Sequence, residues 1–139
     1  MRRVYICGPI SRGDLAHNIQ QANRAMLELM QARLAPFNPM LTCFAGGDLE
    51  RERYADGRIL GEAHASGGGE FRKMPHSAWI AVDLAWVEVA DAVLRLPGES
   101  VGADLEVEHA RKHNVPAYFS IHDLLTQVDD DARPIHNDL

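Results

Sequence analysis

The stretch Val4-Tyr5-Ile6-Cys7-Gly8-Pro9 decides the fold class of this chain. A short run of β-branched and aromatic residues that stops at glycine and proline is typical of a buried strand entering a turn. Beyond a polar loop at 11–14, apolar residues recur at helical spacing and predict an amphipathic helix that ends near Arg33. The segment 34–39 is short and bracketed by prolines, which favours an edge strand.

The second half of the chain repeats this alternation. A helix begins at Ser77, and the run Ala92-Val93-Leu94-Arg95-Leu96 is typical of a buried central strand. Ser100 is a good N-cap for the next helix, after which 115–119 and 121–128 predict a last strand and a closing helix.

Strands that alternate with helices indicate an α/β fold with a parallel sheet. Functional sites in such folds lie at the carboxyl ends of the strands. We therefore expect a site at the turns that follow Cys7 and Leu96.

Length and composition bound the domain organisation. The 139 residues suit one domain, and 46% apolar with 24% charged residues is ordinary for a folded protein. Residues 45–75 lose the periodicity and contain Gly67-Gly68-Gly69, which indicates a lid, a binding loop or a loop that contacts nothing. We expect one domain over 1–128 with a Gly-rich insertion at 45–75, followed by an acidic tail at 129–139.

The charge and the lack of long apolar runs exclude several classes of function. Twenty acidic residues against 14 basic ones give a net charge of -6, which disfavours a surface for a nucleic-acid polymer. No apolar run reaches the roughly 18 residues of a membrane span, and no signal-peptide core follows Met1. We expect a cytoplasmic protein without a membrane partner, and we expect Cys7 and Cys43 to be reduced and buried.

The turn after the first strand is the glycine-bearing loop Cys7-Gly8-Pro9-Ile10-Ser11-Arg12-Gly13. Backbone N–H groups and the Arg12 guanidinium in such a loop can bind an anion. The spacing matches neither the dinucleotide fingerprint nor the P-loop, so neither NAD nor a nucleoside triphosphate is indicated, and we expect no cofactor. A purely structural turn is the alternative.

The second turn leads into Ser100-Val101-Gly102-Ala103-Asp104-Leu105-Glu106. Ser100, Gly102 and Ala103 leave the helix N-terminus uncrowded, so that a ligand can approach the backbone. Glu106 lies in the second turn, where the helix dipole favours the ionised carboxylate, which can attack an electrophilic carbon. The alternative is an exposed helix glutamate without a special role.

Asp83 is the second carboxylate of interest, because Trp79 and Trp86 flank it on one helical stripe. If that stripe faces a cleft, desolvation raises the pKa of Asp83 and suits it to protonate a leaving group. If the stripe faces water, Asp83 has no such role. Two carboxylates in unequal environments are what cleavage of a glycosidic bond requires, but spacing alone does not show that Asp83 and Glu106 meet.

The histidines do not predict a metal site. His109 and His113 form one close pair at i and i+4, but no H-E-x-x-H motif is present, and the pair lies at the far end of its helix from the site expected at the helix N-terminus. The helix dipole favours charged histidines near a helix C-terminus. We therefore interpret both as surface histidines and expect no metal.

Three segments taken together resemble the nucleoside 2-deoxyribosyltransferase superfamily. They are Val4-Tyr5-Ile6-Cys7-Gly8-Pro9-Ile10, Asp83-Leu84-Ala85-Trp86-Val87 followed by Ala90-Asp91, and Ser100-Val101-Gly102-Ala103-Asp104-Leu105-Glu106. This superfamily includes the 2′-deoxynucleoside 5′-phosphate N-hydrolases and the DUF4406 branch. The resemblance covers most of the chain apart from 45–75 and the tail.

The resemblance implies a flavodoxin-like, Rossmann-like fold of three layers with a parallel sheet of about five strands. It also implies a homodimer or higher homo-oligomer whose active sites borrow residues from a neighbouring subunit. Glu106 matches the family glutamate that attacks C1′ of the deoxyribose. Asp83 matches the aspartate that assists departure of the base, and Tyr5 matches a tyrosine that helps to position the glutamate.

Ser100 bears on the substrate. Where the nucleoside transferases of the superfamily carry an aspartate six residues before the nucleophile, this chain has Ser100, as the monophosphate hydrolases do. A serine at a helix N-terminus can donate to a 5′-phosphate that an aspartate would repel, and Arg12 can add positive charge. The residues expected to bind substrate are Gly8, Ile10, Ser11, Arg12, Gly13, Ser100, Gly102 and Ala103.

Three functions stay open at this point. The first is hydrolysis of the N-glycosidic bond of a (deoxy)nucleoside 5′-monophosphate to free base and sugar 5-phosphate, with Glu106 as nucleophile. The second is transfer of deoxyribose to another base at the same site. The third is nucleotide binding or sensing without turnover, which the acidic Asp104 beside the helix N-terminus favours. We favour the first.

Overall fold

A computed structural model describes residues 1–10, 12–41 and 76–129 of the chain. The predicted insertion at 45–75, the tail beyond Asp129, Cys43 and Ser11 lie outside the described residues. No helix within the described ranges is long and apolar enough to cross a membrane.

Four strands and four α-helices alternate along the described chain. They are β1 (Arg3–Cys7), α1 (Leu15–Gln31), β2 (Ala35–Phe37), α2 (His76–Val89), β3 (Ala92–Arg95), α3 (Val101–Lys112), β4 (Ala117–Tyr118) and α4 (Ile121–Asp129). A short 3-10 helix, Pro39–Leu41, follows β2. The predicted order of strands and helices is confirmed. The segments predicted as strands at 34–39 and 115–119 are longer than the observed β2 and β4.

The four strands form one parallel sheet in the order β2-β1-β3-β4. Val4 of β1 lies opposite Pro36 on one side and Ala92 on the other, so β1 and β3 are central. The edge position of β2, predicted from its prolines, is confirmed. The α/β class with a parallel sheet is also confirmed, with four strands in the described residues where the resemblance implied about five.

Side-chain alternation along β1 divides the core into two layers. Val4 and Ile6 point to one face, where they pack with residues of α1 and α4 that include Leu29 and Leu124. Tyr5 and Cys7 point to the opposite face, where they pack against α2 and α3. The buried residues of these helices in this layer are Val87, Ala103, Val107 and Ala110. Helices therefore cover both faces of the sheet, which gives the three-layer arrangement. Each fully buried aliphatic side chain in these layers contributes about 1.5–3 kcal/mol.

Candidate active site

The loop that follows β1 is held in shape by a buried asparagine of α1. Asn18 Nδ2 donates to the carbonyl oxygens of Ile10 and Arg12, at 3.1 and 2.8 Å. Asp14 caps α1, because its carboxylate accepts from the backbone N–H of His17 at 3.2 Å. The loop therefore turns away from β1 with its conformation fixed by hydrogen bonds.

The loop that follows β3 is held by Arg95, which is only 8% exposed. Its guanidinium donates to the carbonyl oxygens of Leu96 and Gly98 and to Asp104 Oδ1, the last at 2.9 Å from Nη2. Gly98 has φ +114°, and a Cβ there would lie 2.8 Å from Cγ of Pro9, so only glycine fits. The two loops are thus packed against each other at the carboxyl end of the sheet.

A cavity of about 480 Å³ opens between these loops and the helices α2 and α3. Both carboxylates singled out in the sequence, Asp83 of α2 and Glu106 of α3, line it. The site predicted at the carboxyl ends of β1 and β3 therefore coincides with a cavity large enough for a small ligand.

Glu106 is half-buried in this cavity and accepts a hydrogen bond from a core side chain. The hydroxyl of Tyr5 donates to Glu106 Oε1 at 2.9 Å. Burial raises the pKa of Glu106 to about 7, the Tyr5 hydrogen bond lowers it, the Asp83 charge raises it and Arg95 lowers it. Burial, the largest cause, thus acts against the helix dipole, which favours the ionised carboxylate, and the ionised and protonated forms of Glu106 are both present near neutral pH.

Tyr5 lies beneath Glu106 in the core and does not line the cavity. Burial, together with the charges of Glu106 and Asp83, raises the pKa of the Tyr5 hydroxyl, so Tyr5 keeps its proton and acts as a donor. The ring of Phe37 lies 5.8 Å from the Tyr5 ring and stacks on Trp86 at 4.9 Å. These aromatic contacts fix the direction in which the Tyr5 hydroxyl points.

Cys7 is reduced and buried, as predicted. It lies at the end of β1 and contributes to the cavity wall. Burial raises the pKa of its thiol, so the nucleophilic thiolate does not form at neutral pH. Of the candidate nucleophiles along this wall, Glu106 is therefore the stronger one.

The stripe of Trp79, Asp83 and Trp86 divides between two environments. Trp79 and Asp83 are half-buried and line the cavity. Trp86 is 47% exposed and stacks on Phe37 instead. Asp83 therefore faces the cavity together with Trp79, whereas Trp86 packs against Phe37 of the edge strand β2.

The residues predicted to bind substrate fall into three groups. Those that line the cavity are Gly8, Ile10, Arg12, Ser100, Gly102 and Ala103. Gly13 lies outside the lining at φ +78°, where it allows the loop to turn into α1. Ser11 lies outside the described residues.

Ser100 caps α3, as predicted, and its hydroxyl lies at the cavity wall. Ser100 Oγ accepts from the backbone N–H of Ala103 at 3.1 Å and lies 3.5 Å from the carbonyl oxygen of Gly8. The Arg12 guanidinium is 67% exposed and lies 3.9 Å from Glu99. A hydroxyl, a helix N-terminus and the Arg12 guanidinium, which lies near Glu99, are therefore the groups of this wall that can contact an anion.

Sequence reasoning missed two polar residues of this region. Asn38, which is 3% exposed, lines the cavity just after β2, and its Oδ1 accepts from the N–H of Met40 at 3.1 Å. The rule about carboxyl ends of strands, applied to β2 as well, predicts a site residue at Asn38. Arg95 stands within an otherwise apolar strand, and an arginine in such a run is itself a signal of a buried polar role. It pairs with Asp104, whose charge is thereby offset beside the helix N-terminus.

No protein-family model matches this chain. A search of curated proteins also finds no match. The resemblance to the nucleoside 2-deoxyribosyltransferase superfamily therefore stays a prediction.

Proposed function

We propose that this protein is an N-glycosidase that cleaves a (deoxy)nucleoside 5′-monophosphate into free base and sugar 5-phosphate. The observation that supports this most strongly is that Glu106 and Asp83 line one cavity, with Glu106 held by the Tyr5 hydroxyl at 2.9 Å. Two carboxyl groups of unequal environment beside one ligand space suit displacement at an anomeric carbon.

In the first step the ionised carboxylate of Glu106 attacks C1′ of the sugar. The C1′–N bond breaks, and its electron pair leaves with the base, which takes a proton from Asp83. This step starts from the state of the coupled pair in which Asp83 carries the proton and Glu106 is ionised. The Tyr5 hydroxyl holds Glu106 in the attacking orientation through its hydrogen bond. Since the pKa of Glu106 is about 7, the ionised and protonated forms are both present at neutral pH.

In the second step water attacks C1′ of the sugar that is bound to Glu106. Asp83, now ionised, takes a proton from that water, and the bond between C1′ and the Glu106 oxygen breaks. The products are the free base and the sugar 5-phosphate, and both carboxyl groups return to their starting protonation states. No cofactor takes part in this sequence.

The phosphate belongs at the N-terminal end of α3. Ser100 and Arg12 line the cavity there, and the backbone of Gly102 is open to approach. Arg95 offsets the charge of Asp104, which removes the main objection to an anion at this helix end. The base then lies toward Trp79 and Ile80 on α2, whose apolar surfaces can stack against it.

We further propose that the active protein is a homodimer or a higher homo-oligomer. Helix α2, which lines the cavity through Trp79, Ile80 and Asp83, also exposes the large apolar side chains of Val82, Trp86 and Val89. A second subunit on this face would cover them and close one side of the site. Analytical ultracentrifugation of the full chain tests this, and a monomer at micromolar concentration would contradict it.

A panel assay tests the proposed function. Purified protein is incubated with nucleosides and their 5′-monophosphates, with and without a second free base, and the products are separated by chromatography. We expect free base from one or more 5′-monophosphates and slower or no release from the matching nucleosides. A new nucleoside formed without net hydrolysis would establish the transferase instead. Tight binding by calorimetry without any product would establish a nucleotide-binding protein.

A further inference from the structure

A second cluster of ionisable side chains lies on the same two helices, outside the cavity. Glu88 near the end of α2 meets His109 of α3 and His113, the C-cap residue directly after α3, and one ligand atom from each lies within 4.8 Å of the other two. The histidines are one helical turn apart, with ring centroids separated by 4.3 Å. Glu88 and His113 are well exposed to solvent and His109 is partly exposed, so an ion can reach them.

Hydrogen bonds fix the nitrogen that His113 turns toward Glu88. His113 Nδ1 donates to the carbonyl oxygen of His109 at 3.0 Å, since a carbonyl oxygen can only accept. In the neutral ring Nε2 then carries a lone pair, and it lies 3.6 Å from Glu88 Oε1. A lone pair and a carboxylate oxygen repel each other unless a cation lies between them or the ring is protonated.

The distances in this cluster suit a tetrahedral cation. Zn²⁺ binds imidazole nitrogen and carboxylate oxygen at about 2.0–2.2 Å, which sets neighbouring ligand atoms roughly 3.3–3.5 Å apart. Glu88 Oε1 lies 2.8 Å from His109 Nε2 and 3.6 Å from His113 Nε2, so the observed spacings bracket the tetrahedral one. The bond from His113 Nδ1 to a backbone carbonyl is the outer contact that commonly orients a metal-bound imidazole.

Within the described residues, the two cationic side chains that flank this cluster in the sequence contact a different carboxylate. Arg111 and Lys112, which flank His109 and His113 in the sequence, lie 3.9 and 4.0 Å from Glu108. The carboxylate of Glu88 is therefore directed at the two imidazoles, and its charge is open to a metal ion.

We propose that Glu88, His109 and His113 form a binding site for a divalent transition metal, with Zn²⁺ as the best match, which ties α2 to α3. Two imidazoles and one carboxylate leave a fourth tetrahedral position for water. Binding releases the proton that His109 Nε2 donates to Glu88, so the affinity falls as the pH is lowered.

Calorimetric titration of the metal-free full chain with zinc chloride at pH 7.5 tests the site. The wild type is expected to bind one Zn²⁺ per chain through this cluster. The single variants His109→Ala and His113→Ala should each lose at least about tenfold in affinity, and the double variant should lose this binding altogether. His122→Ala, an exposed histidine on α4, and Glu108→Gln, an exposed glutamate on α3, are the matched controls and should bind as the wild type does.

Thermal melting and cobalt absorption add two readouts. Zn²⁺ should raise the melting temperature of the wild type and of both controls but not that of the double variant. Co²⁺ in place of Zn²⁺ should give the intense visible bands of a tetrahedral site. Circular dichroism checks the fold of each variant, and Glu88→Gln, expected to lose about tenfold in affinity, replaces the double variant if that one is unfolded. Absence of binding in the wild type, or binding that survives these substitutions, overturns the proposal.

Discussion

The two clusters on the α2–α3 helix pair differ in how their charge is balanced. In the cavity, Asp83 and Glu106 are both acidic, and burial raises the pKa of Glu106 to about 7. The charge of Arg95 lowers the pKa of Glu106, but the Arg95 guanidinium donates its hydrogen bonds to Asp104 and to loop carbonyl oxygens. In the other cluster, Glu88 is exposed to water and meets two imidazoles, His109 at 2.8 Å and His113 at 3.6 Å.

This difference in charge balance means that the buried carboxyl groups of the cavity lower the stability of the folded protein, whereas the Glu88 cluster does not. Burying a carboxyl group beside another one is unfavourable, and folded proteins retain such groups chiefly where chemistry needs them. An exposed carboxylate beside imidazoles needs no such explanation, because each group is solvated or paired. The cavity is therefore the candidate for catalysis on physical grounds, whereas the Glu88 cluster is a candidate for metal binding. Substitutions in the two places should differ in their effects on activity and on stability.

Glu106→Gln should lower the rate of base release roughly 10³-fold or more, because the amide cannot attack C1′. The matched control is Glu108→Gln, the same chemical change two residues along α3, where the side chain is exposed and contacts Arg111 and Lys112. The control should release base at the wild-type rate. Equal rates for the two variants would show that Glu106 is not the nucleophile.

Asp83→Asn should lower the rate about 10²- to 10³-fold, because the departing base loses its proton donor. Bases that leave easily without a proton should be affected less than poor leaving groups. The comparison is made in single-turnover assays on two substrates of the panel, with Asp123→Asn on α4 as the control. A uniform loss on both substrates would assign Asp83 to binding instead of proton transfer.

Glu106→Gln should also stabilise the folded protein at alkaline pH. The pKa of Glu106 in the folded protein is about 7, above the ordinary value of 4.5. Between pH 4.5 and pH 7 the folded state therefore holds a proton that the unfolded state has lost. The wild type therefore loses stability as the pH rises through this window, by roughly 3 kcal/mol at pH 9. Urea unfolding should show a gain of about that size for the variant at pH 9 and little gain at pH 4.

The same urea unfolding measurement on a Glu88 variant is the comparison for Glu106→Gln. Metal-free Glu88→Gln should change the free energy of unfolding by at most about 1 kcal/mol, because the group is solvent-exposed. A gain at pH 9 as large as that of Glu106→Gln would remove the contrast between the two clusters.

Tyr5→Phe should move the pH dependence of base release upward. The Tyr5 hydrogen bond favours the ionised Glu106, so its removal raises the pKa of Glu106 above about 7. A hydrogen bond to a charged group is worth about 1.5–3 kcal/mol, which corresponds to roughly one to two pH units. The wild-type rate should rise through about pH 7, and the rate of the variant should rise at higher pH. A profile that falls in height without moving would rule out this positioning role.

Local signals in the sequence were sufficient to predict the central strands, the N-cap of α3 and the end of the sheet where the cavity lies. The apolar runs of β1 and β3 end at Gly-Pro and Pro-Gly, and these strands form the centre of the sheet. Ser100 caps α3 because its hydroxyl satisfies a backbone N–H three residues ahead, a contact that depends on nothing distant. The carboxyl-end rule placed the cavity, since it depends only on strand direction.

The parts that the sequence could not reveal depend on contacts between distant segments. Trp86 stacks on Phe37, about fifty positions earlier, and the spacing within α2 does not predict that contact. The protonation of Glu106 depends on burial by several elements, which its position on the helix does not predict. The role of Arg95 also requires the loop to fold back over it, so that Gly98 and Asp104 come within reach.

The most direct test of Glu106 as nucleophile is a rapid quench of the enzyme with its best nucleotide substrate, followed by peptide mass spectrometry. The wild type should carry one sugar 5-phosphate per chain, attached to the peptide that contains Glu106. Glu106→Gln should carry none, and Glu108→Gln should match the wild type. A sugar attached to any other residue, or base release by Glu106→Gln at the wild-type rate, would contradict the proposed mechanism.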